Sequence, residues 1–200
     1  MSMDINAALD ELKSRVQECR KCGLCEKRHN IVFGEGPTEN CRVVIVGEGP
    51  GADEDATGRP FVGKAGMLLT SILQDGGKIP RDSLYITNVV KCRPPDNRNP
   101  TREEAAACNE FLEAQLLLLH PDIVVTLGNV PTQWLLKTTQ GITGLRGQWV
   151  DWRGIKLFPM FHPSYLLRND SRAKGSPKDL TWHDIRALKA KIDSLQDQQH

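Results

Sequence analysis

Four of the six cysteines stand in two pairs whose spacing suits a metal site. Cys19 and Cys22 form a Cys-x-x-Cys turn, and fifteen residues separate Cys92 from Cys108. Together the pairs supply four thiolates, which is enough for a tetrahedral zinc ion or for an iron–sulfur cluster. Thiolates alone do not distinguish the two. Either metal would join the amino-terminal segment to the middle of the chain and act as a structural clip.

Cys25 complicates this assignment, because Cys19, Cys22 and Cys25 match the first three positions of the bacterial ferredoxin run Cys-x2-Cys-x2-Cys-x3-Cys. His29, not a cysteine, occupies the fourth position. This break favours one ligand pair from each part of the chain and leaves one of the three neighbouring thiols spare. Cys41 stands alone before an apolar run, and we expect it to be a buried packing residue.

Other polar residues directly follow apolar runs. The acidic, glycine-rich stretch GEGPGADED begins at Gly47, Asn88 interrupts the run YITNVVKC, and His162 precedes Pro163, which restricts its backbone. A carboxylate can orient water, an amide offers both a donor and an acceptor, and an imidazole can donate a hydrogen bond to a developing negative charge. These residues can act together only if the fold brings the ends of the apolar runs to one place.

The pattern of apolar residues predicts such a fold. Four β-branched runs, each stopped by Gly, Pro or Asn, predict buried strands that begin near residues 42, 84, 122 and 155. Helical spacing predicts helices over residues 4–16, 64–75, 102–119, 130–137 and 179–195. Strands that alternate with helices predict an α/β fold with a four-stranded, mostly parallel sheet covered on both faces. Ligands bind at the carboxyl ends of the strands in such sheets, where the polar residues are expected to lie.

The composition narrows the class of protein. A chain of 200 residues with 39% hydrophobic residues suits one domain over residues 1–200, with residues 1–30 packed onto it and the last few frayed. The first residues lack the basic start and apolar run of a signal peptide, so we expect a cytoplasmic, reducing compartment. The longest apolar runs are much shorter than the ~20 residues of a membrane span. A net charge of +1 means that any polyanion would have to bind a local patch.

Three longer motifs occur in order along the chain: GEGPGADEDATGRPFVGKAG, YITNVVKCRPP and FPMFHPSYLLRN. With the cysteine frame, they resemble the family-four uracil-DNA glycosylases, the iron–sulfur branch of the uracil-DNA glycosylase superfamily. The resemblance extends from about Cys19 to the helix after Trp182. It implies a three-layer α/β/α sandwich and a structural [4Fe-4S] cluster, with zinc as the less favoured alternative. The ligands that it implies are Cys19, Cys22, Cys92 and Cys108, which leaves Cys25 spare.

The resemblance also implies a uracil pocket. An enzyme that acts on a base in DNA rotates the nucleotide out of the stack into a fitted pocket. There Phe61 is expected to stack on the base, Asn88 to read the N3–H and O4 edge that distinguishes uracil from cytosine, and His162 to donate to uracil O2 as negative charge develops. Taken alone, Phe61 would also suit an ordinary core position, Asn88 a turn cap and His162 a structural role.

The glycine-rich stretch is expected to form the rest of the pocket. Gly47, Glu48 and Gly49 are predicted to border the base, because glycines let main-chain amides approach a ligand closely. The candidate catalytic carboxylates are Glu48, Asp53, Glu54 and Asp55, most of which would also suit a solvated turn. By resemblance we favour Glu54, either to position water or to exclude the methyl group of thymine. Gly49 stands where other branches of the superfamily have an aspartate, so leaving-group stabilisation is expected to supply most of the rate.

The contacts to DNA are expected after the second and fourth predicted strands. The candidate side chains after the histidine are Ser164, Tyr165, Leu166 and Arg168. Tyr165, Leu166 and Leu167 would wedge into the minor groove, with core packing as the alternative. The basic residues expected to bind phosphate are Lys91, Arg93, Arg98, Arg102, Arg168, Arg172, Lys174 and Lys178.

The sequence therefore predicts a monofunctional glycosylase that hydrolyses the N-glycosidic bond of uracil in single- or double-stranded DNA, as a monomer and without a membrane. One rival is a superfamily branch that traps the sugar covalently through a histidine in an extra basic loop. The stretch CRPPDNRNPTREE from Cys92 contains no histidine, which favours turnover. The other rival is a non-catalytic DNA-binding module shaped by its metal clip, for which uracil would make no difference to binding.

Overall fold

The computed structural model describes residues 4–197, apart from the side chain of residue 196. Its strands are β1 (Val43–Gly47), β2 (Tyr85–Asn88), β3 (Ile123–Leu127), β4 (Val150–Trp152) and β5 (Ile155–Met160). They form one sheet in the order β2-β1-β3-β5-β4, in which β4 alone runs antiparallel to its neighbour. Because β1 is followed by β2 on one side and by β3 on the other, the strand order reverses between β1 and β3, where open parallel sheets bind ligands.

Helices cover both faces of this sheet. They are α1 (Ile5–Glu18), α2 (Ala52–Thr57), α3 (Lys64–Ser71), α4 (Arg102–Leu119), α5 (Asn129–Leu136), α6 (Ile142–Leu145), α7 (Pro163–Arg168) and α8 (Pro177–Asp197). One core cluster joins α1, α4 and α5 to one face of the sheet, and a second joins α3 and α8 to the other. The predicted three-layer α/β/α sandwich is thereby confirmed.

Two helices begin at the caps expected from their sequences. Asp4 accepts a hydrogen bond from the amide of Ala7 at 3.1 Å at the start of α1. At the start of α4, the Thr101 hydroxyl accepts from the Glu104 amide, while the Glu104 carboxylate accepts from the Thr101 amide. This reciprocal capping box satisfies amides that the helix leaves without internal partners. The boundaries of α4 are those predicted from its sequence.

The sheet has one more strand than predicted. The four predicted strands are present as β1, β2, β3 and β5, but β4 forms a hairpin with β5. The two loop residues, Arg153 and Gly154, have φ values of 53° and 81°, as a type I′ turn requires. With only three residues, two of them not fully buried, β4 is too short to show a strand pattern in the sequence.

The sequence pattern did not predict three short helices. It also predicted one continuous α-helix where the chain changes its helical form after α3. α2, α6 and α7 have four to six residues each, which is too short for a helical periodicity. The predicted helix over residues 64–75 is α-helical to Ser71 and continues as a π-helical turn, Ile72–Gly76. α8 ends at Asp197, and residues 198–200, where fraying is expected, lie outside the described residues.

Membrane insertion has no support in the described helices. Between residues 4 and 197, no helix combines the length and the apolar character that a bilayer span needs.

Candidate active site

A cavity of about 610 Å³ opens at the carboxyl edge of the sheet. Its wall includes residues that end or follow each of the four parallel strands: Glu48, Asn88, Gly128 and His162. Phe61, from the loop before α3, completes this wall. The structure therefore brings Phe61, Asn88 and His162, which are far apart in sequence, to one cavity, as predicted.

Asn88 ends β2 and faces Gly47, its partner at the end of β1. Only 1% of Asn88 is exposed, and its Oδ1 is the one buried side-chain polar atom of the described residues that has no hydrogen-bond partner. A Cβ atom at Gly47 would lie 2.3 Å from this oxygen and 2.6 Å from the Phe61 ring. Glycine is therefore required at position 47 to keep space between the amide and the ring. An unpaired buried acceptor is costly, which indicates that a ligand supplies its donor.

Phe61 has an unusual backbone, with φ at 51°, a left-handed conformation that is rare for a bulky residue. Its carbonyl oxygen lies where a Cβ atom of Gly66 would be, so the loop folds tightly onto the start of α3. The ring is 93% buried and lies 5.8 Å from the His162 ring, centroid to centroid, at 38°. The strain of such a conformation, about 1–3 kcal/mol, persists only where the surroundings fix it.

Glu54 is what fixes this loop. Its Oε1 accepts hydrogen bonds from the amides of Val62 and Gly63, both at 2.9 Å, and its Oε2 accepts from the amide of Gly51 at 3.1 Å. Three main-chain donors thus converge on one carboxylate that borders the cavity. Glu54 braces the turn that carries Phe61, and these bonds occupy much of its capacity to accept from water.

Glu48 differs from Glu54 although both border the cavity. Its side chain makes no hydrogen bond or ion pair with any of the residues that the structure describes. Burial raises the pKa of its carboxyl group above the ordinary value of 4.5. Glu48 is therefore the cavity carboxylate whose oxygens are available to a water molecule.

His162 is held as a neutral ring with a defined tautomer. It caps α7, and its Nδ1 accepts a hydrogen bond from the Ser164 amide at 3.1 Å, with the Ser164 hydroxyl 2.8 Å away. A main-chain N–H can only donate, so Nδ1 is unprotonated and the single ring proton lies on Nε2. Burial, followed by the positive charge of Arg168, lowers the pKa of His162 to about 4. At neutral pH the ring is thus an uncharged donor through Nε2–H.

The predicted DNA contacts after His162 lie on α7 rather than in a loop. Ser164, Tyr165 and Arg168 border the cavity, and 37% of Tyr165 is exposed. Leu166 is instead 1% exposed and packs against Ile142, so the alternative of core packing replaces the prediction that its side chain contacts DNA. The sequence could not show this, because a single turn of helix turns neighbouring side chains in different directions.

Some of the predicted phosphate contacts are also engaged elsewhere. Lys91 is fully buried, so the prediction that it binds phosphate is wrong. Arg98 makes two hydrogen bonds to Glu104, at 2.8 and 2.7 Å, and Lys178 pairs with Asp170. Arg168 makes no ion pair within residues 4–197 and lies at the cavity.

The five cysteines of the two predicted groups surround a second, smaller cavity: Cys19, Cys22, Cys25, Cys92 and Cys108. It lies between the segment after α1 and the first half of α4, so a group bound there would join the two as predicted. An Arg28 Nη1–H donates to the Cys92 sulfur at 3.2 Å. Cys41 is 3% exposed and packs in the core, as expected for the isolated cysteine.

Zinc and an iron–sulfur cluster place different demands on these thiols. Within residues 4–197, no three His, Cys, Asp or Glu side chains are arranged to hold one metal ion. A single zinc ion, with bonds of about 2.3 Å, needs its four sulfur atoms within roughly 4 Å of one another. An iron–sulfur cluster has a separate iron for each thiolate and accepts a wider ring. The thiols around this cavity are the donors that such a cluster needs.

Two polar side chains are buried, which the sequence pattern did not predict. Asp55, 1% exposed, accepts from the His29 amide at 3.0 Å and lies 2.6 Å from the His29 ring nitrogen, so it ties α2 to the segment after the cysteines. Gln115, also buried, hydrogen-bonds Lys91. A glutamine within the apolar run LEAQLLLL was the available signal for the second group. Asp55 gave none, because acids in a turn are usually solvated.

Comparison with known proteins identifies the family. Residues 33–186 match the family model described as "Uracil DNA glycosylase superfamily". A "Type-4 uracil-DNA glycosylase" of Thermotoga maritima is 52% identical over 165 residues, which cover 82% of this chain and 85% of the relative. The protein of the same name from Sulfurisphaera tokodaii is 41% identical over 86% of this chain and 81% of the relative. A "Type-5 uracil-DNA glycosylase" of Pyrobaculum aerophilum is 34% identical over 66% of each chain.

The matched region contains β1 to β5 and every residue discussed above that borders the 610 Å³ cavity, including Glu48, Asn88 and His162. Identity to the type-5 relative is lower and covers less of the chain than identity to the two type-4 relatives. The chain therefore belongs to the uracil-DNA glycosylase superfamily, in its type-4 group.

Proposed function

We propose that this protein is a DNA-repair glycosylase, which hydrolyses the N-glycosidic bond of uracil in DNA, releases the base and leaves an abasic site. The names of its type-4 relatives support the activity. The observation that carries the proposal for this chain is the unpaired amide oxygen of Asn88, buried in the cavity that Phe61 and His162 share. Phe61 would stack on the face of a departing uracil, Asn88 would pair with its edge, and His162 would donate to its charged oxygen.

Asn88 supplies the selectivity in this proposal. Its Oδ1 would accept from uracil N3–H, and its Nδ2 would donate to uracil O4. Cytosine presents an acceptor at N3 and a donor at its amino group, so the same amide orientation would leave both poorly paired. Failure to pair a buried polar group is the strongest available means of rejecting a near-identical base. Phe61 would stack on the base face in the space that Gly47 keeps open.

His162 would act in the transition state. Cleavage of the N-glycosidic bond leaves negative charge on uracil, including O2. The neutral ring can donate only through Nε2–H, because Nδ1 is engaged by Ser164. A donor fixed in a largely dry cavity stabilises a charge more than it stabilises the neutral base, which is the condition for catalysis. The ring must stay neutral for this, because a protonated Nδ1 could not accept the hydrogen bond from the Ser164 amide that orients it.

Glu48 and Glu54 would have different roles in the acidic stretch. We assign the water-positioning and sugar-stabilising role to Glu48, whose oxygens are free and whose burial strengthens its interaction with a cationic sugar. Glu54 is assigned the positioning of Phe61 through the Val62 and Gly63 amides. This revises the preference for Glu54 that the resemblance implied.

Arg168, Ser164 and Tyr165 would contact the DNA beside the cavity. Arg168 borders the cavity and supplies the positive charge that suits a phosphate, with Ser164 beside it. Tyr165 stacks against Phe161 with ring centroids 5.1 Å apart and remains partly exposed, so it is the aromatic candidate for the space that the base leaves. The prediction of a monomer in a reducing compartment stays a prediction.

Cys19, Cys22, Cys92 and Cys108 would hold a structural [4Fe-4S] cluster. The shared cavity and the donor set of thiols support this assignment. When bound, the cluster would fix the segment after α1 against α4, so its chemistry is cross-linking rather than catalysis. Cys25 borders the same cavity and is the spare thiol in this assignment.

The activity has a direct test. The purified protein is incubated with an oligonucleotide that contains one uracil, and alkali then cleaves the strand at abasic sites. We expect scission at the uracil position and free uracil in solution, with no scission of the matched cytosine oligonucleotide. An intact strand, with equal binding of the two oligonucleotides, would instead establish the non-catalytic module. A protein–DNA adduct stable to denaturation would establish the covalent trap.

A further inference from the structure

Lys91 is among the largest side chains that the structure buries completely, and it lies between Asn88 and the cysteine cavity. Its Nζ donates three hydrogen bonds: to the Thr87 hydroxyl at 2.7 Å, to the Asn88 main-chain carbonyl at 2.7 Å and to Gln115 Oε1 at 2.6 Å. One of these acceptors thus belongs to the residue whose side chain faces the uracil cavity. Lys91 also borders the cysteine cavity.

The hydrogen bonds show which form of the lysine is present. Gln115 Nε2 donates to the Phe33 carbonyl at 2.8 Å, which orients Oε1 toward Lys91 as an acceptor. The single proton of the Thr87 hydroxyl is directed to the Phe33 carbonyl, also at 2.8 Å, or to Gln115. All three neighbours of the Lys91 nitrogen are therefore acceptors, and three donors are needed. A neutral amine has only two, so the group is an ammonium ion.

A buried ammonium needs a compensating charge. Lys91 makes no ion pair with a carboxylate anywhere in residues 4–197. Lys91 and Cys108 border the same cysteine cavity. Thiols carry negative charge permanently only when a metal binds them as thiolates.

We propose that Lys91 is a positioning residue that couples the cysteine-bound cluster to the uracil pocket, because its side chain borders the cysteine cavity while its Nζ donates to the Asn88 carbonyl. The inference rests on the proposed function of both sites. The cysteine-bound cluster then has a second structural role, because it supports the end of β2 that carries Asn88. Asn88 is then fixed on its main-chain side, while its amide oxygen stays free for the ligand.

Replacement of Lys91 by methionine tests the coupling, since it keeps the apolar stem and removes the charge and the donors. Two quantities are measured on the iron-loaded protein: the reduction potential of the cluster, and the single-turnover rate of uracil release with enzyme in excess. We expect a more negative potential, because a nearby positive charge that favours the reduced cluster is lost. We expect excision to slow by about 10- to 100-fold, the effect of a misplaced reading group, with affinity for undamaged duplex unchanged.

Leu116→Ala provides the matched control. Leu116 packs from α4 into the same core layer, so its truncation lowers stability without touching the polar network. We expect the control to leave both the potential and the rate near those of the unmodified protein. A shifted potential with an unchanged excision rate in Lys91→Met would overturn the coupling, as would two unchanged quantities or equal changes in the control.

A second variant applies if Lys91→Met does not fold or does not hold iron. Thr87→Val keeps the ammonium and removes one of its three acceptors. We expect an unchanged potential and a smaller loss of excision rate, and an excision rate equal to that of the unmodified protein would refute the positioning role. If the unmodified protein releases no uracil, the proposed function fails separately, while an unchanged potential in Lys91→Met still refutes the contact with the cluster.

Discussion

The uracil cavity and the cysteine cavity lie on either side of the end of β2 and differ in how their polar groups are paired. On the uracil side, Asn88 leaves a buried oxygen without a partner, and Phe61 holds a strained backbone. On the cysteine side, Lys91 uses every donor that it has. The difference shows that unmet hydrogen bonds mark the place prepared for a ligand, while satisfied ones mark the support behind it.

The largest expected effect comes from the unpaired side. Asn88→Ala removes the group that reads the base, and we expect uracil excision to fall by about 1,000-fold, the upper range for loss of one fixed polar group. Because Oδ1 has no partner, its removal costs the fold no hydrogen bond. The melting temperature is therefore expected to hold within a few degrees. Single-turnover kinetics and thermal unfolding check both parts, and a large loss of stability would mean that Asn88 is a structural residue.

His162 is expected to give the next largest effect. His162→Ala should lower the excision rate by about 100-fold, because the donor to the developing charge is lost. Ser164→Ala is the matched variant: it keeps the ring and its amide bond to Nδ1 and removes only the hydroxyl. We expect it to slow excision less than tenfold. The comparison uses single-turnover rates, and equal losses in the two variants would contradict the assignment of Nε2–H as the catalytic donor.

Glu48 and Glu54 allow a free carboxylate and a hydrogen-bonded carboxylate to be compared within one cavity wall. Glu48→Gln is expected to slow excision by about 10- to 100-fold without loss of stability, because the removed charge is buried and unpaired. Glu54→Gln removes the charged acceptor of three amides, so we expect a melting temperature lower by several degrees and a smaller direct effect on rate. Rates at saturating enzyme and melting curves separate the two. A larger rate loss in Glu54→Gln than in Glu48→Gln would assign the catalytic role to Glu54.

The pH profile is expected to show the smallest effect. Burial raises the Glu48 pKa above 4.5, so the excision rate should rise with pH as this carboxyl ionises. His162, with its pKa at about 4, contributes no step near neutrality. Since folding raises the Glu48 pKa, Glu48 should also stabilise the fold more as pH falls through that value and less above it. Glu48→Gln should abolish the rate step, and a step that persists would assign it elsewhere.

Much of this architecture follows from the sequence, and the exceptions share a physical cause. The four parallel strands and α4 were predictable because buried strands and long helices repeat their apolar patterns. The shared cavity of Phe61, Asn88 and His162 then followed from the strand ends, together with the family resemblance. β4 and α7 were not predictable, since three to six residues form no period.

The individual roles of charged side chains were the least predictable part. Lys91 was assigned to phosphate because it stands among basic residues, yet the strand end turns it into the core. Glu54 was preferred over Glu48, yet the loop amides engage Glu54 and leave Glu48 free. Neither outcome has a local signal, because the partners are set by tertiary contacts such as Gln115, 24 residues beyond Lys91 in the chain.

The central claim is that the free oxygen of Asn88 accepts a hydrogen bond from uracil N3–H. Its most direct test is the single-turnover excision of uracil and of N3-methyluracil from otherwise identical oligonucleotides, by the unmodified protein and by Asn88→Ala. We expect N3-methylation to slow the unmodified protein by at least 100-fold, as for a site left with an unpaired polar group, and to make little difference to Asn88→Ala. The same loss in both proteins would show that Asn88 does not read the base.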